Sequence, residues 1–147
     1  MRSRDAWVID ASVATKWYLR DEDLLFQADH ALDSVVAAGS TAPHIIRHEV
    51  ANSLSAACRS GRISRADMQE SLAHFLRSSL GTQPDPDSVI EQAAGITTDL
   101  SIYLLDAIYI AFAQQIGFEF VTADRKLYDV VTDSLPLVRW LGDITPG

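Results

Sequence analysis

The chain has 147 residues, of which 48% are hydrophobic and 22% are charged. This length predicts one compact domain, residues 1–147, and the composition excludes disordered, collagen-like and fibrous proteins. A net charge of −8 excludes a protein that wraps nucleic acid with a broadly basic surface. Cys58 has no second cysteine to pair with, and no apolar run reaches the roughly 18 residues of a membrane span. We therefore expect a cytoplasmic protein without membrane contact.

The first half of the chain predicts one strand and four helices. Residues 7–9 form a short apolar, β-prone run that ends at Asp10. The spacing of apolar residues then predicts four helices: residues 13–20, residues 23–38 ending at Gly39, residues 44–59, and residues 65–80 capped by Ser64. The last two helices are separated by Gly61 and predict a helical hairpin.

The second half predicts a parallel sheet covered by helices. A polar, proline-containing loop at residues 81–87 precedes the predicted elements: a short helix at 89–94, an apolar helix at 101–116 ending at Gly117, a strand at 118–122, a helix at 125–131 and a strand at 137–139. Apolar strands that alternate with helices are typical of an α/β sandwich with a central parallel sheet. In such folds the ligand site lies at the carboxyl ends of the strands.

Three aspartates stand beside or within apolar segments. Asp10 directly follows the first predicted strand, and Asp124 follows the second after Ala123. Asp106 interrupts a helix that is apolar nearly all round. A buried carboxylate is costly unless it is protonated or paired with a cation or metal. No neighbouring lysine or arginine in the sequence is an obvious partner for Asp10 or Asp106. For Asp124 in particular, a helix cap or strand-end turn remains the alternative explanation.

A fourth acid, Glu49, lies on the predicted helix at residues 44–59. It shares a polar seam with Asn52 and Ser53, which predicts that it faces something other than the core. If the fold gathers all four acids at the sheet edge, their mutual repulsion should raise at least one pKa. A hard divalent cation such as Mg²⁺ or Mn²⁺ would relieve that repulsion, orient a phosphodiester and activate water.

These residues occur in four short blocks whose order and spacing are specific. The blocks are residues 8–13 (VIDASV), 49–54 (EVANSL), 105–111 (LDAIYIA) and 121–124 (VTAD). Together they resemble the PIN-domain nucleases, especially the VapC-type toxins of bacterial toxin–antitoxin pairs. One departure is Leu104-Leu105, where relatives often have a polar residue or a tyrosine before the aspartate.

The resemblance implies a Mg²⁺-dependent endoribonuclease on a PIN-like α/β/α sandwich, with Mn²⁺ as a substitute ion. The implied catalytic residues are Asp10, Glu49, Asp106 and Asp124, with Asp10 and Asp106 as the metal ligands. Ser12 and Thr122 match hydroxyl positions beside the acids, where they would position water or phosphate, although a helix cap and strand propensity explain them equally well. The expected partners are an RNA substrate, a cognate antitoxin and a second copy of the chain in a homodimer.

Two other functions remain open at this stage. One is a non-catalytic PIN-like interaction module, and the other is a phosphomonoesterase that uses the same metal. Zinc binding by His44 and His48, which are spaced i,i+4, is disfavoured because no third ligand accompanies them, so we expect surface or helix-start residues there.

Basic residues near the four acids are few. They are Lys16, Arg20, Arg125 and Lys126, with Arg59, Arg62 and Arg65 at the predicted hairpin turn. They are candidates for contacts with RNA phosphates, although isolated cations beside acids are more often plain surface charges.

Overall fold

A computed structural model describes residues 6–38, 41–78 and 80–145. These residues form three strands, seven α-helices and two short 3₁₀ helices. The elements in chain order are β1 (Trp7–Ile9), α1 (Ala11–Ala14), a 3₁₀ helix (Thr15–Trp17), α2 (Leu25–Ala38), α3 (Ile45–Arg59), α4 (Arg65–Arg77), α5 (Asp87–Leu100), α6 (Leu104–Ile116), β2 (Glu119–Thr122), α7 (Arg125–Val131), β3 (Val138–Trp140) and a second 3₁₀ helix (Leu141–Asp143).

The three strands form one parallel sheet in the order β1-β2-β3. Ile9 is in register with Val121, and Thr122 is in register with Trp140, so the strands end at a common edge. Helix α6 packs against β1 and β2, and α7 packs against β3. The predicted α/β fold with a central parallel sheet is confirmed.

Helix α6 supplies much of the hydrophobic core. Its residues from Ala107 to Ala113 are all buried, which explains why this segment is apolar on every side. The ring of Tyr109 stacks on Phe120 of β2 at a centroid separation of 5.8 Å. The contact fixes α6 on the sheet and places its first turn at the edge where the strands end.

The first predicted helix is shorter than expected. Instead of residues 13–20, an α-helical turn over Ala11–Ala14 passes directly into the 3₁₀ helix Thr15–Trp17. Asp10 accepts a hydrogen bond from the Val13 N–H group and therefore fixes the helix start at Ala11. A 3₁₀ turn commonly ends a helix in this way.

The boundary between α5 and α6 also differs from the expectation. Helix α5 spans Asp87–Leu100 rather than residues 89–94, and Ser101 ends it in the left-handed conformation at φ 57°. The low helix propensities of Gly95 and its threonine neighbours concealed the second half of this helix in the sequence. As a result α6 begins at Leu104, and Asp106 lies in its first turn rather than in its second.

Two smaller points concern the hairpin and the helix before it. Helix α4 ends at Arg77 rather than at Leu80. The predicted stop of α2 at Gly39 lies outside the described residues.

Among the described helices none alone is long and apolar enough to cross a membrane, and α5 and α6 pass that test only as a pair bent by 120°.

Candidate active site

Asp10, Glu49, Asp106 and Asp124 all line one open cavity of about 420 Å³ at the carboxyl edge of the sheet. They come from four places in the chain: Asp10 directly follows β1, Glu49 lies in the first half of α3, Asp106 lies in the first turn of α6, and Asp124 lies two residues after β2. The fold therefore brings together all four acids that the sequence singled out.

Asp10 is the most deeply buried of the four, with only 5% of its surface exposed. Thr122 Oγ1 donates to its Oδ2 at 2.6 Å. The Ser12 hydroxyl and the Val13 N–H group donate to its Oδ1. Oδ1 is thus occupied by two donors, whereas Oδ2 keeps a lone pair for a further partner.

The two hydroxyls also connect the ends of β1 and β2. Ser12 Oγ accepts from the Ala123 N–H group at 2.9 Å, and Thr122 Oγ1 accepts from the Asp124 N–H group at 3.0 Å. Thr122 is fully buried and does not line the cavity. Its hydroxyl therefore orients Asp10 rather than a water or a phosphate, while Ser12 is half-buried and reaches the cavity.

The other two aspartates are less enclosed than their apolar neighbours suggested. Asp106 is half-buried, because Leu104 and Leu105 beside it are themselves exposed. Its position in the first turn of α6 places it near the partial positive charge of the helix N-terminus. Asp124 is exposed and caps α7 by accepting from the Leu127 N–H group at 3.1 Å, so it is both a helix cap and a cavity residue.

Tyr109 belongs to this site although the sequence analysis did not single it out. Its hydroxyl donates to Glu49 Oε1 at 2.6 Å, which leaves Oε2 as the free acceptor of that carboxylate. The only signal in the sequence is its position three residues after Asp106, on the same side of the helix. In a helix this apolar, a tyrosine is more simply explained as a core aromatic, and its ring does pack in the core.

Burial and crowding raise the pKa of two of the acids. The pKa of Asp10 rises to about 7, mainly because burial disfavours its charge; hydrogen bonds from Ser12 and Thr122 oppose the rise, and the neighbouring acids add to it. The pKa of Asp106 rises to about 6, again mainly through burial, with repulsion from Asp124 and Glu49 next. The expected direction is confirmed, but burial rather than mutual repulsion is the larger cause.

Helix α3 forms a polar wall of the cavity. His48, Asn52 and Ser53 line it together with Glu49. The prediction that the Glu49 seam faces something other than the core is confirmed. His48 is an exposed residue of α3 that also lines the acidic cavity. His44 is the N-cap of α3, and its Nε2 lies 3.1 Å from the Thr82 carbonyl oxygen.

Most of the basic residues considered for RNA contacts pair with acids elsewhere. Lys16 is buried and its Nζ lies 3.4 Å from Glu22 and 3.1 Å from Asp23. Further ion pairs join Arg20 to Asp29, Arg62 to Asp21 and Arg125 to Asp129. Among the residues that line the cavity none is a lysine or an arginine, so its carboxylates have no local counter-charge.

The donor set suits an ion that keeps most of its own water. Within residues 6–38, 41–78 and 80–145, no three His, Cys, Asp or Glu side chains are placed to hold an ion by themselves. That arrangement disfavours ions that need a closed protein cage. Mg²⁺ is usually bound through one or two carboxylates and several waters, and the free oxygens of Asp10 and Asp106 fit this mode.

Comparison with known proteins supports the predicted PIN-like α/β/α fold. A family model described as the PIN domain matches residues 7–132, which include all four acids. The chain belongs to the PIN-domain family. Residues from β1 to the end of α7 of this PIN domain lie within the match, and β3 lies beyond it.

Two curated relatives have names that describe an activity. VapC ribonuclease Mb0985 of Mycobacterium bovis and ribonuclease VapC9 of Mycobacterium tuberculosis are each 28% identical to this PIN domain over 130 residues. The aligned region covers 88% of this chain and 94% of each relative, so the likeness extends over nearly the whole of both proteins.

Two solved structures share the fold. PAE2754 from Pyrobaculum aerophilum superposes with a TM-score of 0.65 at 21% identity, covering 93% of this PIN domain and 91% of that chain. A chain of a toxin–antitoxin complex from Klebsiella pneumoniae gives a TM-score of 0.64 at 19% identity, covering 95% and 99%. At 21% and 19% sequence identity, these superpositions show a shared fold only.

Proposed function

We propose that this PIN domain is a Mg²⁺-dependent endoribonuclease and the toxin of a toxin–antitoxin pair. The observation that carries the proposal is the convergence of Asp10, Glu49, Asp106 and Asp124 on one cavity whose lining contains no lysine or arginine. A non-catalytic interaction module has no physical reason to keep desolvated, unpaired acids together. The ribonuclease names of the curated relatives support RNA as the substrate.

Asp10 and Asp106 are the proposed metal ligands. Both belong to the cavity, and Asp10 is held in one orientation by the hydroxyls of Ser12 and Thr122. When bound, Mg²⁺, or Mn²⁺ in its place, polarises the scissile phosphate and increases the acidity of the attacking water. Ordering of Asp10 before the ion arrives lowers the entropic cost of binding it.

The remaining two acids, Glu49 and Asp124, act on the attacking water. Glu49, oriented through Oε1 by Tyr109, uses Oε2 to accept a proton from the attacking water, and Asp124 helps to orient that water. The water oxygen attacks phosphorus in line with the departing 3′ oxygen, the P–O3′ bond breaks, and the 3′ oxygen takes a proton from solvent. The phosphate stays on the downstream fragment.

The proposed protein partner is a small antitoxin, consistent with the toxin–antitoxin title of one structural neighbour. We expect an amphipathic helix of the antitoxin to pack against the α3–α4 hairpin and to place an arginine or lysine near the four acids, because a cation substitutes electrostatically for the metal. The structure of a complex in which no antitoxin residue approaches the hairpin or the acids would contradict this. A homodimer is the proposed state of the free protein.

One experiment separates the three possible functions. The purified protein is incubated with a mixed-sequence RNA and, separately, with p-nitrophenyl phosphate, each with Mg²⁺ and with EDTA. Internal cleavage of RNA that requires Mg²⁺ and is lost in Asp106→Asn supports the nuclease. Hydrolysis of the phosphate ester alone indicates a phosphomonoesterase, and no reaction with either substrate indicates an interaction module.

A further inference from the structure

The cavity has two chemically different walls. The α3 wall is mostly polar: it presents Glu49, His48, Asn52 and Ser53, with Ile45 at the start of the helix. The α6 wall presents Leu105, which is 41% exposed and directly follows the equally exposed Leu104. Before them comes Tyr103, whose side chain is 83% exposed, the highest exposure among the large hydrophobic residues that the structure describes. Tyr103, Leu104 and Leu105 thus form a continuous exposed apolar run that leads to the cavity, and such a run marks a candidate contact surface.

The position of Tyr103 in the helix places it beside the proposed catalytic acids. It is the N-cap of α6, and Asp106 is the third helical residue after it. Side chains at these two positions lie on the same side of the first turn, which is why they interact in capping boxes. The Tyr103 ring is therefore a neighbour of Asp106 rather than part of a distant surface.

A residue farther along α3, outside the cavity, is suited to contact a polyanionic strand. Arg59 is exposed, and none of the ion pairs found among the described residues includes it. It lies on the same face of α3 as His48 and Asn52, since positions i, i+4 and i+11 of a helix fall within about 40° of one another. Arg59 is about 16 Å farther along the helix axis than His48, a distance that a strand of more than one nucleotide spans.

A nucleic-acid strand offers two kinds of surface that match these walls. Its phosphates accept hydrogen bonds and positive charge, whereas its unpaired bases stack on aromatic side chains. We infer, on the basis of the proposed nuclease function, that Tyr103 stacks on an unpaired base next to the scissile phosphate while Arg59 contacts a phosphate farther along the strand. Tyr103 is then a specificity-determining residue, because it selects RNA whose base at that position is free to leave its stack.

The other occupant to consider for the exposed Tyr103 to Leu105 segment is a second copy of the chain. A stable interface uses about 20–30 residues on each side, and this exposed apolar run has three. The other exposed large hydrophobic residues do not adjoin the run in the chain: they are Phe26 and Val36 on α2, Leu76 on α4, Ile90 on α5, Ile116 at the opposite end of α6 and Val130 on α7. The hydrogen-bond donors of α3, together with the metal ion proposed at the adjacent acids, favour the RNA strand.

The test measures RNA binding separately from cleavage. In an Asp106→Asn background, which does not cut RNA if the proposed mechanism holds, Tyr103→Ala, Tyr103→Phe and Arg59→Ala are titrated with a fluorescent single-stranded RNA in Mg²⁺. Phe26→Ala is the matched control, because Phe26 is an aromatic residue that is 67% exposed on α2. The same RNA is also used as a duplex and as a series with one abasic nucleotide at each position near the cut.

Tyr103→Ala should weaken binding of the single strand by roughly 5- to 150-fold, the range measured for loss of one stacked base. Tyr103→Phe and Phe26→Ala should bind like the background protein. The loss of affinity caused by Tyr103→Ala should disappear when the RNA is a duplex. It should also disappear for the one RNA in the series whose abasic nucleotide removes the stacked base. Arg59→Ala should instead weaken binding to every abasic RNA alike and reduce its dependence on salt.

Two results would overturn the inference while leaving the nuclease intact. One is cleavage of RNA by the otherwise unaltered Tyr103→Ala protein with the parental KM, together with unchanged binding. The other is sedimentation showing that Tyr103→Ala converts a parental dimer to monomers, which would assign the segment to an interface between copies. Failure of the unaltered protein to cut RNA at all would contradict the proposed function itself.

Discussion

At the scale of single residues, Tyr109 connects the hydrophobic core to the acidic cavity. Its ring is held against Phe120 and its hydroxyl against Glu49. The substitution Tyr109→Phe keeps the ring and removes only the hydrogen bond. We expect it to cost about 1 kcal/mol of stability and to lower kcat for RNA cleavage, because Glu49 loses its fixed orientation. Melting curves and steady-state kinetics measure the two effects.

A control for this substitution is available in α7. Tyr128→Phe removes a hydroxyl from a half-buried tyrosine that does not line the cavity. It should leave kcat unchanged. Parental kcat in Tyr109→Phe would show that the hydrogen bond to Glu49 does not contribute to the reaction.

The raised pKa of Asp10 predicts a specific dependence of stability on pH. Its folded-state pKa is about 7, above the unfolded value of 3.8, so the folded protein binds more protons between these values. In EDTA this stabilisation is fully present below pH 3.8 and is lost as the pH rises through 7.

The variant Asp10→Asn lacks this titration. The unfolding free energy of the parent, measured relative to Asp10→Asn, should therefore decrease as the pH rises from about 4 to 7. Urea unfolding of both proteins at several pH values in EDTA gives this difference. A difference that stays constant over the range would show that the pKa of Asp10 is not raised.

The residues that the sequence could and could not reveal differ for a physical reason. Asp10 and Asp106 were predictable because a charge beside or within an apolar segment is unusual and needs an explanation. The contribution of Tyr109 was not predictable, since a core tyrosine is common and its partner Glu49 lies 60 residues away in the chain. The environments of the acids, which decide their pKa values, also follow only from the packed structure.

At the scale of secondary-structure elements, Asp124 has two roles that substitution can separate. It caps α7 through the Leu127 N–H group and also lines the cavity. Asparagine is as good an N-cap as aspartate but carries no charge. Asp124→Asn should therefore keep nearly parental stability and lose RNA cleavage, whereas Asp124→Ala should lose cleavage and also roughly 1 kcal/mol of stability.

Melting temperatures and single-turnover cleavage rates of the two variants distinguish these roles. Equal melting temperatures for Asn and Ala at this position would mean that the cap does not stabilise α7. If Asp124→Asn cleaves RNA at the parental rate, Asp124 caps α7 but does not contribute to the reaction.

Most elements were predictable, either because their apolar residues recur with the helical period, as in α3, or because they form a long apolar run, as in α6. The boundary between α5 and α6 was not, since Gly95 lowers local helix propensity and Ser101 adopts a left-handed conformation that a non-glycine residue rarely adopts. This error had a functional consequence. It hid the fact that Tyr103 to Asp106 form an exposed helix start at the site.

At the scale of the whole molecule, the charge distribution limits how the protein meets RNA. The net charge is −8, and many of the described basic residues are paired with acids on the surface. Long-range attraction of RNA is therefore weak, and productive binding depends on local contacts and on an ion that neutralises the cavity.

The proposed central feature is a metal site formed by the four converging acids. Melting curves in EDTA and in Mg²⁺ test it directly, with the parent, Asp106→Asn and the control Asp33→Asn, an exposed acid on α2. Binding of Mg²⁺ to the folded form at 100 times its Kd should stabilise the parent by about 2.7 kcal/mol. Asp106→Asn should melt above the parent in EDTA, because the pKa of Asp106 is raised and its charge is unfavourable, and it should gain less from Mg²⁺. Asp33→Asn should follow the parent. A parent that gains nothing from Mg²⁺, together with an Asp106→Asn variant that is less stable than the parent in EDTA, would contradict the metal site and with it the proposed nuclease.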